Sequence, residues 1–459
     1  MKKIYIYLTS FSLILLSLTG CEDQLFLTPP QSVDQEIALN SDANVKRVLV
    51  GAYADLRDIS VWGGRMLLYS EMLGANNEIR WEGTFNQPRE LFNKSVFTNN
   101  TFITESWLVG YSAINICNNI LEAINVVDEA DRDRVRGEAL FIRGAIYFEL
   151  ARFYGLPYSA GNTSSNLAVP IVLTPTREVS PEDQVARNTV EEVYQQVISD
   201  LSTAEELLPS INGFFARNYV AAAILSRVYL QMENFGEARD AADRAIALST
   251  AQEKRLVSNY MSAFNTETDS PEDLFTIQVN TQDPGNNMHL FYSTPDFGGR
   301  DGDVTILNSH VNLYESGDER LEQFQIRAGD RRTDKWRDQF RNVKVVRLAE
   351  MYLTRAEANF REGTALGATP LEDINRIRER VSLTEKTSIT LEEILMERKL
   401  ELAHEGHNIH DVKRTRGSII DNTDNSLIYS YDDARLVLPI PQRETDANPN
   451  LTQNPGYGG

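Results

Sequence analysis

The stretch "RNYVAAAILSRVYLQMENFGEARDAADRAIALS", residues 217–249, reads as two amphipathic helices with only a few polar residues between them. Ala221, Leu225, Tyr229 and Met232 fall on one face of the first helix. Phe235, Ala238, Ala242 and Ala245 fall on one face of the second, at three- and four-residue spacing. A helix pair of about 34 residues cannot cover its own apolar stripe and needs a neighbour of the same kind. That need constrains the chain to an all-α stack with little β structure.

Further units of the same kind recur. Val45, Leu49, Ala52, Tyr53 and Leu56 predict a helix over 42–58, and two long helices follow over 103–154, divided near "DEADRDR". In "VRGEALFIRGAIYFELARFYG", Leu140, Gly144, Tyr147, Ala151 and Tyr154 form one stripe, and Ile142, Ile146, Leu150 and Phe153 form another. A helix apolar on two stripes must be covered on two sides. Gly155 and Pro157 end it. A third unit pairs Leu348, Tyr352, Ala356 and Phe360 with Ile374 and Ile377. The spacing predicts one domain, 41–459, with tetratricopeptide-like helices at 41–58, 103–154, 189–249 and 346–404. Residues 61–100 and 265–342 lose the helical period while keeping aromatics, and 436–459 reads as an extended tail. Irregular segments of such length in a compact protein are functional or disordered, and aromatic content argues for function.

The N-terminus carries Lys2 and Lys3, then an apolar run from Ile4 to Leu18 that is short for a membrane span. It predicts a signal peptide over 1–20. Removing it moves the formal net charge from −21 to −23. So acidic a chain, with no basic stripe, repels a phosphate backbone, so no nucleic-acid partner is expected. Of the two cysteines, Cys117 lies in an apolar-periodic stretch and reads as a small buried hydrophobe.

Leu18-Thr19-Gly20-Cys21 resembles the lipobox of bacterial lipoproteins. The resemblance implies cleavage before Cys21, acylation of its thiol, and a lipidated tether over 21–40. Four further stretches resemble the SusD/RagB family of nutrient-uptake lipoproteins: "EALFIRGAIYFELARFYGLP", "VVRLAEMYLTRAEA", "INRIRERVSL" with "ILMERKLELAHEGHNIHDVKR", and the ending "LVLPIPQRETDANPNLTQNPGY". One departure stands out: the family usually has Arg after "EGH", where this chain has Asn408. The resemblance implies an outer-membrane lipoprotein facing the cell exterior. It would capture oligosaccharides, or peptides as RagB-like members do, for a SusC-like TonB-dependent transporter. Glu22-Asp23 resembles a surface-export signal. A lipid-anchored scaffold for outer-membrane assembly is the alternative, but it leaves both irregular segments idle.

No catalytic residues, metal ligands or cofactor are expected. No G-x-S-x-G, Walker loop or G-x-G-x-x-G after a strand occurs. His404, His407 and His410 cluster beside Glu401, Glu405 and Asp411, but "HEGH" is one residue short of H-E-x-x-H, and a structural turn is favoured. "GGRDGD", 298–303, imitates a calcium loop only loosely. Arg347, Glu350, Arg355 and Glu357 read as helix-to-helix ion pairs, Trp107 as core and Trp336 as a structural anchor.

Aromatics in the irregular segments are the candidates for stacking on sugar faces. Trp81 and Phe85 lie beside Asn77 and Glu78; Tyr292 and Phe297 lie beside Asp296 and Arg300. Trp81 is the first choice. The overall acidity favours a neutral glycan unless Arg80, Arg89 or Arg300 compensates locally.

Overall fold

The computed structural model describes residues 39–177, 180–283 and 285–457. Cys21, Glu22-Asp23 and most of the tether fall outside the described residues. The N-terminal half contains α1 (Asp42–Arg57), α2 (Arg65–Leu73), β1 (Ile79–Trp81), α3 (Asn86–Phe92), α4 (Thr101–Glu122) and α5 (Glu129–Tyr154). Then come α6 (Val190–Leu207), α7 (Asn218–Gln231) and α8 (Phe235–Thr250). Short elements follow: β2 (Asp273–Ile277), α9 (Asn287–Tyr292), β3 (Val304–Ile306), α10 (Asn308–Val311), β4 (Phe324–Arg327), β5 (Asp330–Thr333) and β6 (Val343–Arg347). The chain returns to helix in α11 (Leu348–Glu362), α12 (Pro370–Glu379), α13 (Leu391–Glu401) and α14 (Asn408–Arg414). It closes with β7 (Ser418–Ile420), β8 (Ile428–Ser430) and α15 (Gln442–Ala447).

The helices stack in sequence order. α1 packs on α4, α4 on α5, α5 on α6, α6 on α7 and α7 on α8. After the long excursion through the short strands, α11 docks on α8 and is covered by α12 and α13. This is the all-α stack that the periodicity predicts. The strands form only two-stranded antiparallel ladders, β1 with β3, β2 with β6, β4 with β5 and β7 with β8.

Local chemistry explains the ends and contacts of the helices. Thr189, Thr369 and Thr390 close capping boxes with Glu192, Glu372 and Glu393 at the starts of α6, α12 and α13. Each satisfies two otherwise orphaned N–H groups. From Gly137 to Tyr154, every residue of α5 is buried, so both its stripes are covered. A Cβ at Gly144 would lie 3.0 Å from Leu201 Cγ, and its absence lets α6 approach closely. There Arg143 holds the Asp200 carboxylate through two bonds of 2.8 Å.

The four charges on and before α11 bind it to its neighbours. Arg347 meets Glu405, Glu350 meets Arg227, Arg355 meets Asp373 and Glu357 meets Arg414. Trp107 is core, and Trp336 anchors its indole N–H on the His404 carbonyl at 2.7 Å.

The break between α4 and α5 falls just before "DEADRDR", at the turn Ile124–Val126, with Asp128 as the N-cap and Glu129 and Asp131 in the first turn of α5. Acids there complement the helix dipole. Two local expectations change. Residues 61–100 do contain helices, and α2 is buried at every position, so it has no polar face to produce a period. The tail also carries α15. The tail is stitched to the end of α5: Asn454 Nδ2 donates to the Tyr154 carbonyl at 2.8 Å and Leu438 N to the Phe153 carbonyl at 2.8 Å.

Candidate ligand-binding site

The β1–β3 ladder brings the two irregular segments together, pairing Ile79 with Ile306, Arg80 with Thr305 and Trp81 with Val304. Strand alternation then decides what each side chain does. Ile79 and Trp81 point inward and Arg80 points to solvent. Trp81 is 7% exposed and meets Phe291 edge-on at 5.6 Å. Phe291 in turn contacts Phe85 at 5.7 Å and Phe102 at 6.4 Å. Tyr292 is fully buried, 5.8 Å from the His404 ring, and burial pushes its phenol well up. Trp81 and Tyr292 therefore form inner walls, not the open stacking surfaces that their loop positions suggest.

Phe85, Asp296, Phe297 and Arg300 lie nearer to solvent. The Arg300 guanidinium sits 4.6 Å over the half-buried Phe85 ring, and it donates to Thr84 Oγ1 and Asp303 Oδ2, each at 3.0 Å. Phe297 carries Arg327 at 4.7 Å and Arg337 at 5.3 Å over its ring, while Asp296 beside it is exposed. This rim offers aromatic faces, forked donors and carboxylates together. Arg80 adds an ion pair with Glu82 at 2.7 Å. Arg89 turns inward to the Gly83 carbonyl at 2.6 Å.

The other end of β1 opens on a pit of about 330 Å³ between α13, α14 and the end of α2. Asn77 precedes it in a left-handed turn at φ 58°. Glu78 lines the pit and pairs with His310 Nδ1 at 2.8 Å and with Lys399. Hydrogen bonding to His310 and the Lys399 charge hold its carboxyl below the usual range, although burial opposes them. On the α14 side, Asp411 pairs with Arg398 at 3.0 Å and Arg414 at 2.7 Å.

The turn between α13 and α14 is seated on the end of α2. Glu71 Oε1 accepts the Gly406 N–H at 2.8 Å, and Asn408 Nδ2 donates to the Gly74 carbonyl at 2.9 Å. Burial without a contacting cation pushes the Glu71 carboxyl up to about 7. The three clustered histidines diverge: His404 faces His310 at 4.9 Å, His407 lies 3.9 Å from Glu350, and His410 abuts Phe153 at 4.8 Å. Burial holds all three well down, His407 at about 4.

Comparison with known proteins places this geometry. Residues 26–230 match a family described as starch-binding associating with outer membrane, and residues 328–457 match the SusD family. The chain belongs to the SusD/RagB family. SusD-like protein P2 of Formosa agariphila is 25% identical, with all of both chains covered. The starch-binding protein SusD of Bacteroides thetaiotaomicron is 33% identical over 130 residues, 25% of this chain and 22% of that protein. A solved SusD superfamily protein from Bacteroides thetaiotaomicron superposes with TM-score 0.78 at 25% identity, covering 90% of this chain and 100% of that one.

Within the SusD/RagB frame, the pit is what sequence reasoning overlooked. Of the candidate site residues, only Glu78 lines it; Met396 and Lys399 come from α13, a helix of ordinary character, and His310 from the four-residue α10 inside the irregular segment. The pit's advance signals are Asn408, the departure from the SusD/RagB motif, and the cluster read as a structural turn, of which His404, His407 and Asp411 line it.

Proposed function

We propose that this protein is a surface-exposed, lipid-anchored capture protein that binds oligosaccharides and delivers them to a SusC-like TonB-dependent transporter. It is a binding protein and not an enzyme in this reading. The match of residues 26–230 to a family described as starch-binding associating with outer membrane carries it. The rim supports it: Phe85 and Phe297 supply stacking faces, while Asp296, Arg300 and Arg80 supply hydroxyl partners. Asn77 and Glu78 complete the proposed contacts, and Trp81 and Tyr292 support the rim from behind as buried walls. With one or two stacking rings on a shallow rim, the affinity is about 4–6 kcal/mol, millimolar to tens of micromolar.

The test is a glycan and peptide array followed by calorimetry, with a pull-down from detergent-solubilised membranes. Binding of a neutral oligosaccharide and recovery of a large β-barrel support the reading. Peptide binding alone moves the protein to the RagB-like class. Repeated absence of both a barrel and any ligand favours the scaffold.

A further inference from the structure

We propose that the pit beside Glu78 is an end-pocket that takes one neutral sugar ring, the terminal residue of the captured glycan. This rests on the glycan reading above and adds where, and by which part, the glycan is held. It makes the protein a reader of chain ends as well as of chain faces.

Size is the first argument. A volume of about 330 Å³ lies at the small end of ligand pockets, which run from about 300 to 1,000 Å³, so it suits one ring better than several. Shape is the second. Met396, 39% exposed, stands at the rim, whereas Glu71, Ala75 and His404 at the floor are almost fully buried. A pit with a buried floor admits a chain end and excludes the middle of a chain.

The chemistry matches a ring with an apolar face and peripheral hydroxyls. Ile79, Met396 and Leu402 supply an apolar wall. At the floor, neither ring nitrogen of His404 has a hydrogen-bond partner among the described residues, and its Nδ1 lies 3.9 Å from Glu71 Oε2. A neutral imidazole offers one donor and one acceptor, and leaving such a buried group unpaired is costly. A ligand hydroxyl is both donor and acceptor and satisfies either tautomer.

Charge selects the neutral class. Each pit cation is already committed, Lys399 to Glu78, and Arg398 and Arg414 to Asp411. Two lining carboxylates, Glu71 and Glu392, have no cation in contact among the described residues. An anionic ring would therefore meet no free positive charge and two groups of its own sign.

The experiment takes an oligosaccharide found on the array and measures its binding by calorimetry to the parent and to Met396→Trp. The latter plugs the rim from an exposed position. Expected is a tenfold or greater loss of affinity at unchanged melting temperature. A glycan blocked by a bulky label at the bound end should lose affinity for the parent to a similar degree. Because a rim variant can perturb its neighbours, ligand-induced shifts of the His404 ring nitrogens, assigned with His404→Phe, give a second readout on the parent chain. Unchanged affinity in Met396→Trp with unshifted His404 nitrogens overturns the end-pocket and leaves glycan capture standing. A parent that binds no glycan overturns both.

Discussion

Arg347 grips the Glu405 carboxylate with two parallel bonds, Nε to Oε2 at 2.6 Å and Nη2 to Oε1 at 2.8 Å. The same guanidinium reaches Glu401 at 3.1 Å and also pairs with Glu272. Lys335 approaches Glu405 from the other side at 2.5 Å. Arg347 and Glu405 have side chains only 1% and 4% exposed, so this lattice joins β6 and α11 to the turn that builds the pit.

Breaking that pair on one side should cost more than losing two bonds. Glu405→Gln leaves Arg347 and Lys335 buried with less negative charge, and such orphaning costs about 3–5 kcal/mol. Urea unfolding should show a loss in that range, with glycan affinity falling as the turn loosens. A loss under about 1 kcal/mol would mean that Glu401 and Glu272 already suffice for Arg347.

Glu71 gives the fold a pH dependence. Its carboxyl ordinarily titrates near 4.5, and in the folded chain it is pushed up to about 7 by burial. Below pH 4.5 it is protonated whether folded or unfolded, and its contribution is fully present. As pH rises toward 7 the unfolded chain loses this proton and the folded chain keeps it, so stability declines. The decline attributable to this group is about 3 kcal/mol. The Gly406 N–H bond and the Lys335 charge moderate it, and Glu405 nearby adds to it. Urea unfolding of parent and Glu71→Gln between pH 4.5 and 7.5 should diverge, the variant losing less. Parallel curves would rule out Glu71 as the titrating group.

The stack is legible in the sequence because each helix there has a face. α7 and α8 show alanine and tyrosine at helical spacing, and α11 shows it too, although the three join across a long insertion. α2 is not legible: a short helix buried on every side carries no alternation of polarity. The site divides in the same way. Local residue type points to the segments that β1 and β3 join, and Phe85, Phe297 and Arg300 sit at their rim. It cannot tell Arg80 from Trp81, whose opposite directions are fixed by a strand of three residues paired to a segment far along the chain. The pit is made by α2, α13 and α14 meeting; the segment 404–411 stands out in the sequence and supplies part of the lining, but the enclosure depends on α2 far away along the chain.

The different burial of Trp81 and Phe297 separates packing from binding. Trp81→Ala removes an almost fully buried ring from the Phe291 cluster and should cost about 3–5 kcal/mol of stability. Phe297→Ala removes a half-buried ring held beneath Arg327 and Arg337, and should cost about 1 kcal/mol while weakening glycan binding severalfold. Calorimetry with denaturant unfolding on both variants decides it. Unchanged affinity in Phe297→Ala would move the binding surface away from this rim.

The proposed anchor can be tested by cysteine arithmetic as well as by the lipobox. The chain has two cysteines, so a thiol-linked lipid has two places to go. Cys117 is fully buried on α4, and burial pushes its thiol well above the ordinary range, which leaves it protonated and inaccessible. A thiolate is the reactive form, so Cys117 cannot substitute for a lost acceptor in the folded protein. Metabolic labelling with a radioactive fatty acid should therefore mark the parent strongly and Cys21→Ala not at all. The variant should also accumulate with residues 1–20 uncleaved, as the lipobox resemblance implies. Label that persists in Cys21→Ala while Cys117→Ser abolishes it would reverse the assignment and detach the tether from the membrane.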